Sequence, residues 1–165
     1  MYIPKHLKFV KLKDKGRALL ANRDIKKGEV ILKMKGFMNS SKDSSYESVQ
    51  IDKDTFIDSE NYYVDDFINH SCNPNLWLNI INMNYITLRN IKKGEEITIN
   101  YMTNEYDLVE EDCYFKCKCG SKSCLKHIKG FKYLTKKQKE KLKPFLSPFL
   151  KKKLLNNKLK IKKKK

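Results

Sequence analysis

Three cysteines in the last third of the chain constrain the fold more than any other feature. They lie in the segment Cys117–Cys124, at positions 117, 119 and 124, around a single glycine turn. A structural zinc site needs four ligands in a tetrahedron, so a fourth must come from elsewhere in the chain. The available residues are Cys72, Cys113, His70 and His127. The alternative is a set of buried, reduced thiols, but a lysine-rich loop has little apolar core for them to join.

Length and composition indicate one compact intracellular domain with small appendages. A chain of 165 residues, 40% of them hydrophobic, can bury a real core. No apolar run approaches the roughly 18 residues of a membrane span, and the first residues lack the apolar core of a signal peptide. We therefore expect a protein of the nucleus or cytoplasm with no membrane partner. Reduced thiols in that setting favour metal binding or core packing over disulfides.

The positive charge is concentrated in the last thirty residues. Residues 136–165 contain fourteen lysines and one glutamate, and so carry +13 of the net charge of +17. Such a segment would attract nucleic acid without sequence specificity, an acidic protein or a nuclear import receptor. The alternative is a solvated tail that reflects a lysine-biased composition.

Short segments rich in β-branched and apolar residues predict a mainly β domain. The expected strands are His6–Lys11, Ala18–Ala21, Glu29–Met34, Ser48–Asp52, Thr55–Asp58, Leu76–Ile81, Tyr85–Arg89 and Glu96–Ile99. Residues 37–46 are expected to form a polar loop. Helical patterning comes late, where Thr135 is a candidate cap for a helix ending near Lys143, before Pro144. Phe149–Leu159 is a second, weaker helix candidate.

Two turns of nearly identical sequence occur far apart in the chain. Asp24–Glu29 and Asn90–Glu95 both contain Ile-Lys-Lys-Gly-Glu, and each leads into a predicted strand. The glycine of each turn is suited to a positive φ. Because the flanking sequences do not match, we interpret the pair as one turn chemistry used twice and not as an internal repeat.

Three further motifs carry polar or aromatic groups suited to a ligand site. The first, Asn69–Asn75, is dense in amides, a histidine, a cysteine and a proline, as in a constrained loop that holds a polar ligand. The second, Lys15–Ala21, is a glycine turn entering a strand. The third, Gly94–Tyr101, is a turn and strand that end in a tyrosine. Taken singly, these motifs also fit a surface turn, a hairpin and a packed aromatic side chain.

Together with the cysteines, these motifs resemble the SET-domain protein lysine methyltransferases that carry a post-SET segment. Asn69–Asn75 matches the family's Asn-His-Ser-Cys-x-Pro-Asn, and Gly94–Tyr101 matches Gly-Glu-Glu-Leu-Thr-x-x-Tyr with isoleucine for leucine. Lys15–Leu19 matches Lys-Gly-x-Gly-Leu, and Cys117–Cys124 matches the post-SET Cys-x-Cys-x4-Cys. The resemblance covers about residues 8–134.

The resemblance implies a SET-domain β-clip of short sheets with pseudoknot-like threading, a post-SET zinc loop and a C-terminal helical or disordered basic tail. The implied boundaries are residues 1–110, 111–134 and 135–165. The positions that match the family's motifs imply which residues would bind the cofactor and the metal. S-adenosylmethionine would be held by Lys15, Gly16, Arg17, Tyr46, Asn69, His70 and Tyr101, and a structural Zn²⁺ by Cys72, Cys117, Cys119 and Cys124.

Tyr101 matches the family's catalytic tyrosine, which implies in-line attack of a substrate lysine amine on the cofactor's methyl group. The expected substrate is a histone tail or another basic protein. No dedicated general base is evident in the sequence. The alternative is a non-catalytic SET-like zinc module that binds nucleic acid or chromatin through its basic tail.

Three positions depart from the family pattern. Ala18 replaces a glycine, Ile99 stands where many relatives have an aromatic residue, and Asp66 stands where arginine is common. The aromatic position influences how many methyl groups are added, so the change to Ile99 leaves that number open.

Overall fold

Short strands, most of them antiparallel, make up the first hundred residues of the chain. The computed structural model describes residues 2–40, 45–59 and 62–162, with side chains as far as residue 156. The strands of this part are β1 (Leu7–Leu12), β2 (Gly16–Ala21), β3 (Val30–Lys33), β4 (Phe37–Ser40), β5 (Val49–Asp52), β6 (Thr55–Asp58), β7 (Asn69–His70), β8 (Leu76–Asn79), β9 (Asn84–Thr87) and β10 (Thr98–Ile99).

The strands assemble into small sheets and not into one continuous sheet. β1 and β2 form a hairpin, while two three-stranded sheets have the orders β3-β9-β8 and β4-β6-β5. β7 and β10 form a parallel pair. The prediction of a mainly β fold of short sheets is therefore confirmed.

The predicted strands are present, with ends that differ by at most two residues, but the expected polar loop at residues 37–46 is wrong in its first part. Residues 37–40 form β4, which pairs with β6 along one edge of its sheet. Phe37 and Met38 are exposed, so this strand carries no buried-face periodicity that the sequence could reveal. Residues 41–44 of the expected loop lie outside the described residues.

Large apolar side chains from these sheets share one core. In β8 the buried Leu76 and Leu78 alternate with half-buried Trp77 and Asn79, as expected for a strand with one face against the core. Members of this core that are almost completely buried are Leu19, Ile25, Ile91 and Ile97.

The two turns of similar sequence pair with each other. The backbone N–H of Ile25 donates to the carbonyl of Ile91 at 2.8 Å, and the N–H of Ile91 donates back at 2.9 Å. The side chain of Asn90 accepts from the Lys27 N–H, and that of Asp24 accepts from the Lys93 N–H, both at 2.9 Å. The paired turns therefore hold the segment before β3 against the segment before β10.

A second apolar core lies after β10. It contains short strands β11 (Phe115–Lys116) and β12 (His127–Ile128) and helices α1 (Lys136–Leu142) and α2 (Pro148–Lys162). Buried residues Phe131, Leu146 and Leu150 join the cysteine-rich segment 111–134 to the C-terminal segment 135–165. The predicted helices are confirmed, and Thr135 caps α1 by accepting from the Gln138 N–H. The domain boundary at residue 134 stays a prediction.

Two hydrogen bonds tie the C-terminal segment to the preceding domain. The Trp77 indole N–H donates to the Phe145 carbonyl at 2.9 Å, and the Ser147 N–H donates to the Thr103 carbonyl at 2.8 Å. The first part of the basic tail is therefore packed against the protein. Among the described residues, the helices are too short or too polar to cross a membrane.

Candidate active site

The parallel pair of β7 and β10 brings two predicted motifs together. Asn69 lies opposite Thr98 and His70 opposite Ile99, so the Asn69–Asn75 loop runs beside the strand that leads to Tyr101. The Asn75 side chain supports this contact, because it donates to the Glu96 carbonyl at 2.8 Å and accepts from the Thr98 N–H at 2.9 Å. The threading of the chain that the family resemblance implies stays a prediction.

The His70 ring connects Tyr101 to a cysteine. Its Nδ1 accepts from the Tyr101 backbone N–H at 3.2 Å, so Nε2 carries the proton and points to Cys72 Sγ at 3.4 Å. Burial lowers the pKa of His70 to about 4, which keeps the ring neutral at physiological pH. The ring also packs edge-to-face against Tyr101 and Phe115.

Asn69 and Lys15 meet at one carboxylate. The Asn69 amide donates to the Arg17 carbonyl at 2.9 Å and to the Glu96 carboxylate at 3.1 Å. Lys15 forms an ion pair with the same carboxylate at 2.5 Å. Gly16 adopts a φ of 72°, a left-handed conformation that glycine reaches without strain, and this turn places Lys15 beside Asn69.

A cavity of about 390 Å³ opens beside these residues. Ligand pockets in proteins typically fall within about 300–1,000 Å³, so this one is large enough for a small cofactor. Its wall contains Asp14, Lys15, Asn69, His70, Tyr101, Phe115, Lys116, Cys117, Lys118 and Cys119. Side chains predicted from three separate motifs therefore line one cavity.

The predicted cofactor residue Tyr46 lies elsewhere. Its side chain is 79% exposed and lies at the mouth of a second, larger cavity. Arg17 is also directed away from the smaller cavity, since its guanidinium pairs with Glu47 and stacks on the ring of Tyr62. Arg17 contacts the site through its backbone instead, because its carbonyl accepts from the Asn69 side-chain amide.

Four cysteines form a cluster that fits a zinc ion. The sulfur atoms of Cys72, Cys117, Cys119 and Cys124 all lie within 4.8 Å of one another. Zn–S bonds of about 2.3 Å in a tetrahedron place sulfur atoms just under 4 Å apart, so the donor set suits this metal. Among the candidates for a fourth ligand, Cys72 is the residue whose sulfur atom lies with the other three. Cys113 is not part of the cluster.

Backbone N–H groups face sulfur atoms of the cluster, and the pKa values of its thiols are shifted in opposite directions. The N–H of Leu125 points to Cys72 Sγ and the N–H of Lys126 to Cys124 Sγ, both at 3.4 Å. Burial raises the pKa of Cys72 to about 11. The pKa of Cys119 is instead lowered to about 6, because hydrogen bonds from neighbouring backbone and thiol groups outweigh its burial. A divalent cation would replace the thiol protons of such a cluster.

The larger cavity is a strongly acidic cleft of about 920 Å³. Nine of the nineteen acidic residues of the chain line it among the described residues, against three lysines. The acidic residues are Glu47, Asp54, Asp58, Asp65, Asp66, Glu105, Asp107, Glu110 and Glu111. In a chain with a net charge of +17, acidic residues are thus concentrated in one cleft, where three of them already form ion pairs within the protein.

Tyr101 lies where the two cavities meet. Its side chain lines both the smaller cavity and the acidic cleft, as does that of Phe115. The Tyr101 hydroxyl donates to the Ile68 carbonyl at 3.0 Å, which fixes the orientation of the phenol. Burial and nearby carboxylates, Glu105 foremost among them, raise the pKa of Tyr101 well above its usual value. The phenol therefore stays protonated at neutral pH.

Sequence reasoning missed several residues of the site. Phe115 closes the aromatic contact with His70 and Tyr101, and the buried acids Asp65 and Glu105 line the cleft. Asp65 had a visible signal, since it is a charged residue two positions ahead of the apolar pair at positions 67 and 68. Phe115 had none beyond its nearness to the cysteines.

Comparison with known proteins agrees with this geometry. The model of the SET domain matches residues 16–102, more than half of the chain. The H3 lysine-36 specific histone-lysine N-methyltransferase of Debaryomyces hansenii is 31% identical over 136 residues, which are 70% of this chain and 18% of that protein. The chain thus spans less than a fifth of that relative.

Solved structures of Kryptonite have a similar fold. The complex with mCHG DNA and SAH has a TM-score of 0.60 at 26% identity, covering 73% of this chain and 28% of that one. The complex with mCHH DNA, an H3(1–15) peptide and SAH has a TM-score of 0.58 at 25% identity, covering 73% and 29%. This chain belongs to the SET-domain family, and its cysteine cluster has the ligand set of a post-SET zinc site.

Proposed function

We propose that the chain is an S-adenosylmethionine-dependent protein lysine methyltransferase. The observation that carries the proposal is the position of Tyr101 in the wall of both cavities. A methyl donor in the smaller cavity and a lysine in the acidic cleft would meet at this residue. Support comes from relatives named as histone-lysine N-methyltransferases and from a structural neighbour in complex with SAH.

The smaller cavity suits the polar groups of S-adenosylmethionine, which supplies a methyl group on a positively charged sulfur. Lys15 offers an ammonium for a carboxylate, and Asn69 and His70 line the wall beside it. The Gly16 turn and the Arg17 carbonyl position Asn69 from outside the cavity. The Cys72–Cys117–Cys119–Cys124 cluster would hold a structural zinc that fixes the wall beside His70.

The acidic cleft suits a basic protein segment. A histone tail carries several lysines and arginines, and the carboxylates of the cleft offer complementary charge. The relatives that act on histone H3 and the neighbour bound to an H3 peptide favour this substrate class. The chemistry would take place at the narrow point beside Tyr101.

The residues around Tyr101 can position a lysine for transfer. Deprotonating a free lysine at pH 7 costs about 4–5 kcal/mol, and an apolar surrounding next to a positive charge reduces that cost. Ile68, Ile99 and Tyr101 supply such a surrounding. Because its phenol stays protonated, Tyr101 orients the amine and does not remove its proton. Most of the rate would come from positioning and electrostatics.

The substitution Tyr101→Phe tests the proposal. It removes the hydroxyl and its hydrogen bond to Ile68 but keeps the ring that packs against His70. We expect methyl transfer to a mixture of histones to fall by at least about 100-fold, while the thermal shift caused by S-adenosylmethionine remains. Full turnover in the variant would refute the role of Tyr101. The absence of any stabilisation by the cofactor in the unmodified protein would favour a non-catalytic module.

We also propose that residues 136–165 contact nucleic acid without sequence specificity and place the protein at chromatin in the nucleus. Lys151 and Lys152 are exposed on α2, on the side away from the buried Leu150 and Leu154. Binding to duplex DNA should weaken steeply with salt and be independent of base sequence. Fluorescence anisotropy would compare the DNA affinity of the full chain with that of a chain ending at residue 156. The shorter chain should bind more weakly.

A further inference from the structure

Asp65 is a buried acid in the floor of the acidic cleft. It lies in a 3₁₀ turn at Val64–Phe67, immediately ahead of Ile68, and only 7% of its surface is exposed. Its side chain lines the cleft together with those of Tyr85, Ile99 and Tyr101. Its position, in a part of the cleft rich in apolar side chains, distinguishes it from the acids nearer to solvent.

One oxygen of this carboxyl group has no partner. Oδ2 accepts from the Tyr85 hydroxyl at 3.3 Å, whereas Oδ1 is buried without a hydrogen bond among the described residues. The backbone N–H groups of Asp65 and Lys35 also favour the charged form, but neither bonds to Oδ1. In the described part of the chain, no lysine or arginine forms an ion pair with Asp65.

An unpaired carboxylate at this depth is costly for folding. Burial raises the pKa of Asp65 to about 6, so the group is largely ionised at neutral pH. An isolated buried charge destabilises a protein unless an opposite charge or hydrogen-bond donors reach it. The fold therefore carries a carboxyl group with an unused acceptor, and the residue that bears it lines the cleft.

The position of Asp65 relative to Tyr101 indicates what would pair with this carboxyl group. The Ile68 N–H donates to the Asp65 carbonyl at 3.0 Å, and the Ile68 carbonyl accepts from the Tyr101 hydroxyl, also at 3.0 Å. The backbone of Asp65 and the Tyr101 hydroxyl are thus hydrogen-bonded to the same residue, Ile68. Because Asp65 and Tyr101 also line the same cleft, the cation expected there is the side chain of a substrate lysine.

We propose that Asp65 binds the ε-ammonium of the incoming substrate lysine through its carboxylate. This inference rests on the proposed methyltransferase function and names a substrate contact within it. The carboxylate and the ammonium form a neutral, charge-assisted pair where neither ion is stable alone. Asp65 is then a binding residue for the acceptor lysine, and it selects a cation over an apolar side chain of similar length.

The neighbouring Asp66 provides a matched control. Its carboxylate accepts from the Ser59 hydroxyl at 2.8 Å and from the Tyr63 N–H at 2.7 Å, and so already stabilises the 3₁₀ turn. The two adjacent acids differ in whether their hydrogen-bonding capacity is used within the protein. Asp65→Asn and Asp66→Asn remove the same charge from the same turn, but only the first should affect a bound ammonium.

The experiment uses n-butylammonium, which reproduces the end of a lysine side chain, and n-butanol as the neutral probe. NMR titration of the zinc-loaded full chain at constant ionic strength gives the affinity ratio of the two probes. We expect the unmodified protein and Asp66→Asn to prefer the ammonium by about tenfold, and Asp65→Asn to lose this preference. An equal preference in Asp65→Asn and Asp66→Asn would overturn the proposal.

A measurement on the unmodified protein covers the case in which Asp65→Asn does not fold. The ¹³C resonance of the Asp65 carboxyl should shift on addition of n-butylammonium and remain unchanged with n-butanol, and a resonance unaffected by either probe would again overturn the proposal. Failure of methyl transfer in the unmodified protein, with ammonium binding intact, would instead refute the proposed function. The two failures are therefore distinguishable.

Discussion

The two apolar cores of this protein are held together in different ways. The first, built from β1 to β10, closes through strand pairing and large side chains such as Leu19, Ile91 and Ile97. The second has two strands of only two residues each and surrounds the sulfur atoms of the cysteine cluster. The first core is closed by packing, whereas the second combines residues of the C-terminal helix with the cysteines proposed to hold a metal.

The active site lies on the border between the two cores. Tyr101 packs against the first core, and Met102, the next residue, belongs to the second. His70 touches Tyr101 on one side and Cys72 of the cysteine cluster on the other. The proposed catalysis would therefore need both cores to be folded, and the effects of changes to either core can be compared at this site.

The largest expected effect is that of removing the metal. Structural zinc contributes roughly 10–16 kcal/mol of apparent binding free energy in small domains, so a chelator should unfold the second core and leave the first largely intact. Cys72→Ser should lose the metal and weaken S-adenosylmethionine binding by at least about tenfold. Cys113→Ser is the matched control and should retain about one zinc per chain by elemental analysis. A Cys72→Ser variant with full zinc would contradict the assignment.

The substitution Leu150→Ala tests the part that α2 plays in the second core. Leu150 is completely buried, so its truncation should lower the free energy of unfolding by about 2–5 kcal/mol. Leu155→Ala is the control on the same helix, because that side chain is 57% exposed, and its cost should be within about 0.5 kcal/mol of zero. Denaturant titration measures both. Equal effects would mean that α2 does not pack as described.

The raised pKa of Glu105, at the border between the two cores, predicts that the free energy of unfolding depends on pH. Burial, followed by the charge of Glu111, raises the pKa of Glu105 from 4.5 to about 8. Below pH 4.5 the group is protonated in both the folded and the unfolded state. As pH rises from 4.5 to 8, only the unfolded chain ionises freely, so stability should fall by on the order of 4 kcal/mol from this group.

Thermal unfolding between pH 5 and pH 8.5 measures this effect. Glu105→Gln should melt at a higher temperature than the unmodified protein at pH 8.5 and show a flatter pH dependence, while the two should be close at pH 5. Raised pKa values of Glu111 and Asp65 leave some slope in the variant. Parallel pH profiles for the two proteins would show that Glu105 ionises normally.

The smallest expected effect concerns the hydrogen bond between Trp77 and Phe145. Trp77→Phe keeps an aromatic ring against Phe145 but removes the indole N–H. We expect a loss of about 0.5–1.5 kcal/mol in the free energy of unfolding, without a change in zinc content. Combining Trp77→Phe with Leu150→Ala tests whether the C-terminal segment acts as one unit. Strictly additive losses would argue against that coupling.

The sequence predicted the strands of the first core well, because β-branched runs such as the one in β3 follow turns that contain Gly28 or Gly94. It missed β4, whose pairing with β6 is not accompanied by a buried face. The late helices followed from the Thr135 cap and the position of Pro144. The burial of α2 against the second core did not follow, since it depends on contacts with distant residues.

In the candidate site too, some features could be predicted from local sequence and others depend on contacts between distant residues. Asn69, His70, Cys72 and Tyr101 were identified by their motifs, and the structure brings them together through the pairing of β7 with β10. Choosing Cys72 over Cys113 needed either the family resemblance or the geometry of the sulfur atoms. The unpaired oxygen of Asp65 depends on burial by side chains far away in sequence, which no local pattern records.

The paired turns have a consequence for association between molecules. Asp24–Glu29 and Asn90–Glu95 contact each other through equivalent atoms, as two identical chains do across a two-fold axis. Each turn would therefore fit the opposite turn of a second molecule, which is the arrangement needed for domain swapping. A chain that opens at this contact while concentrated can exchange the segment before β3 with a neighbour, and the resulting dimer would use the same hydrogen bonds as the monomer.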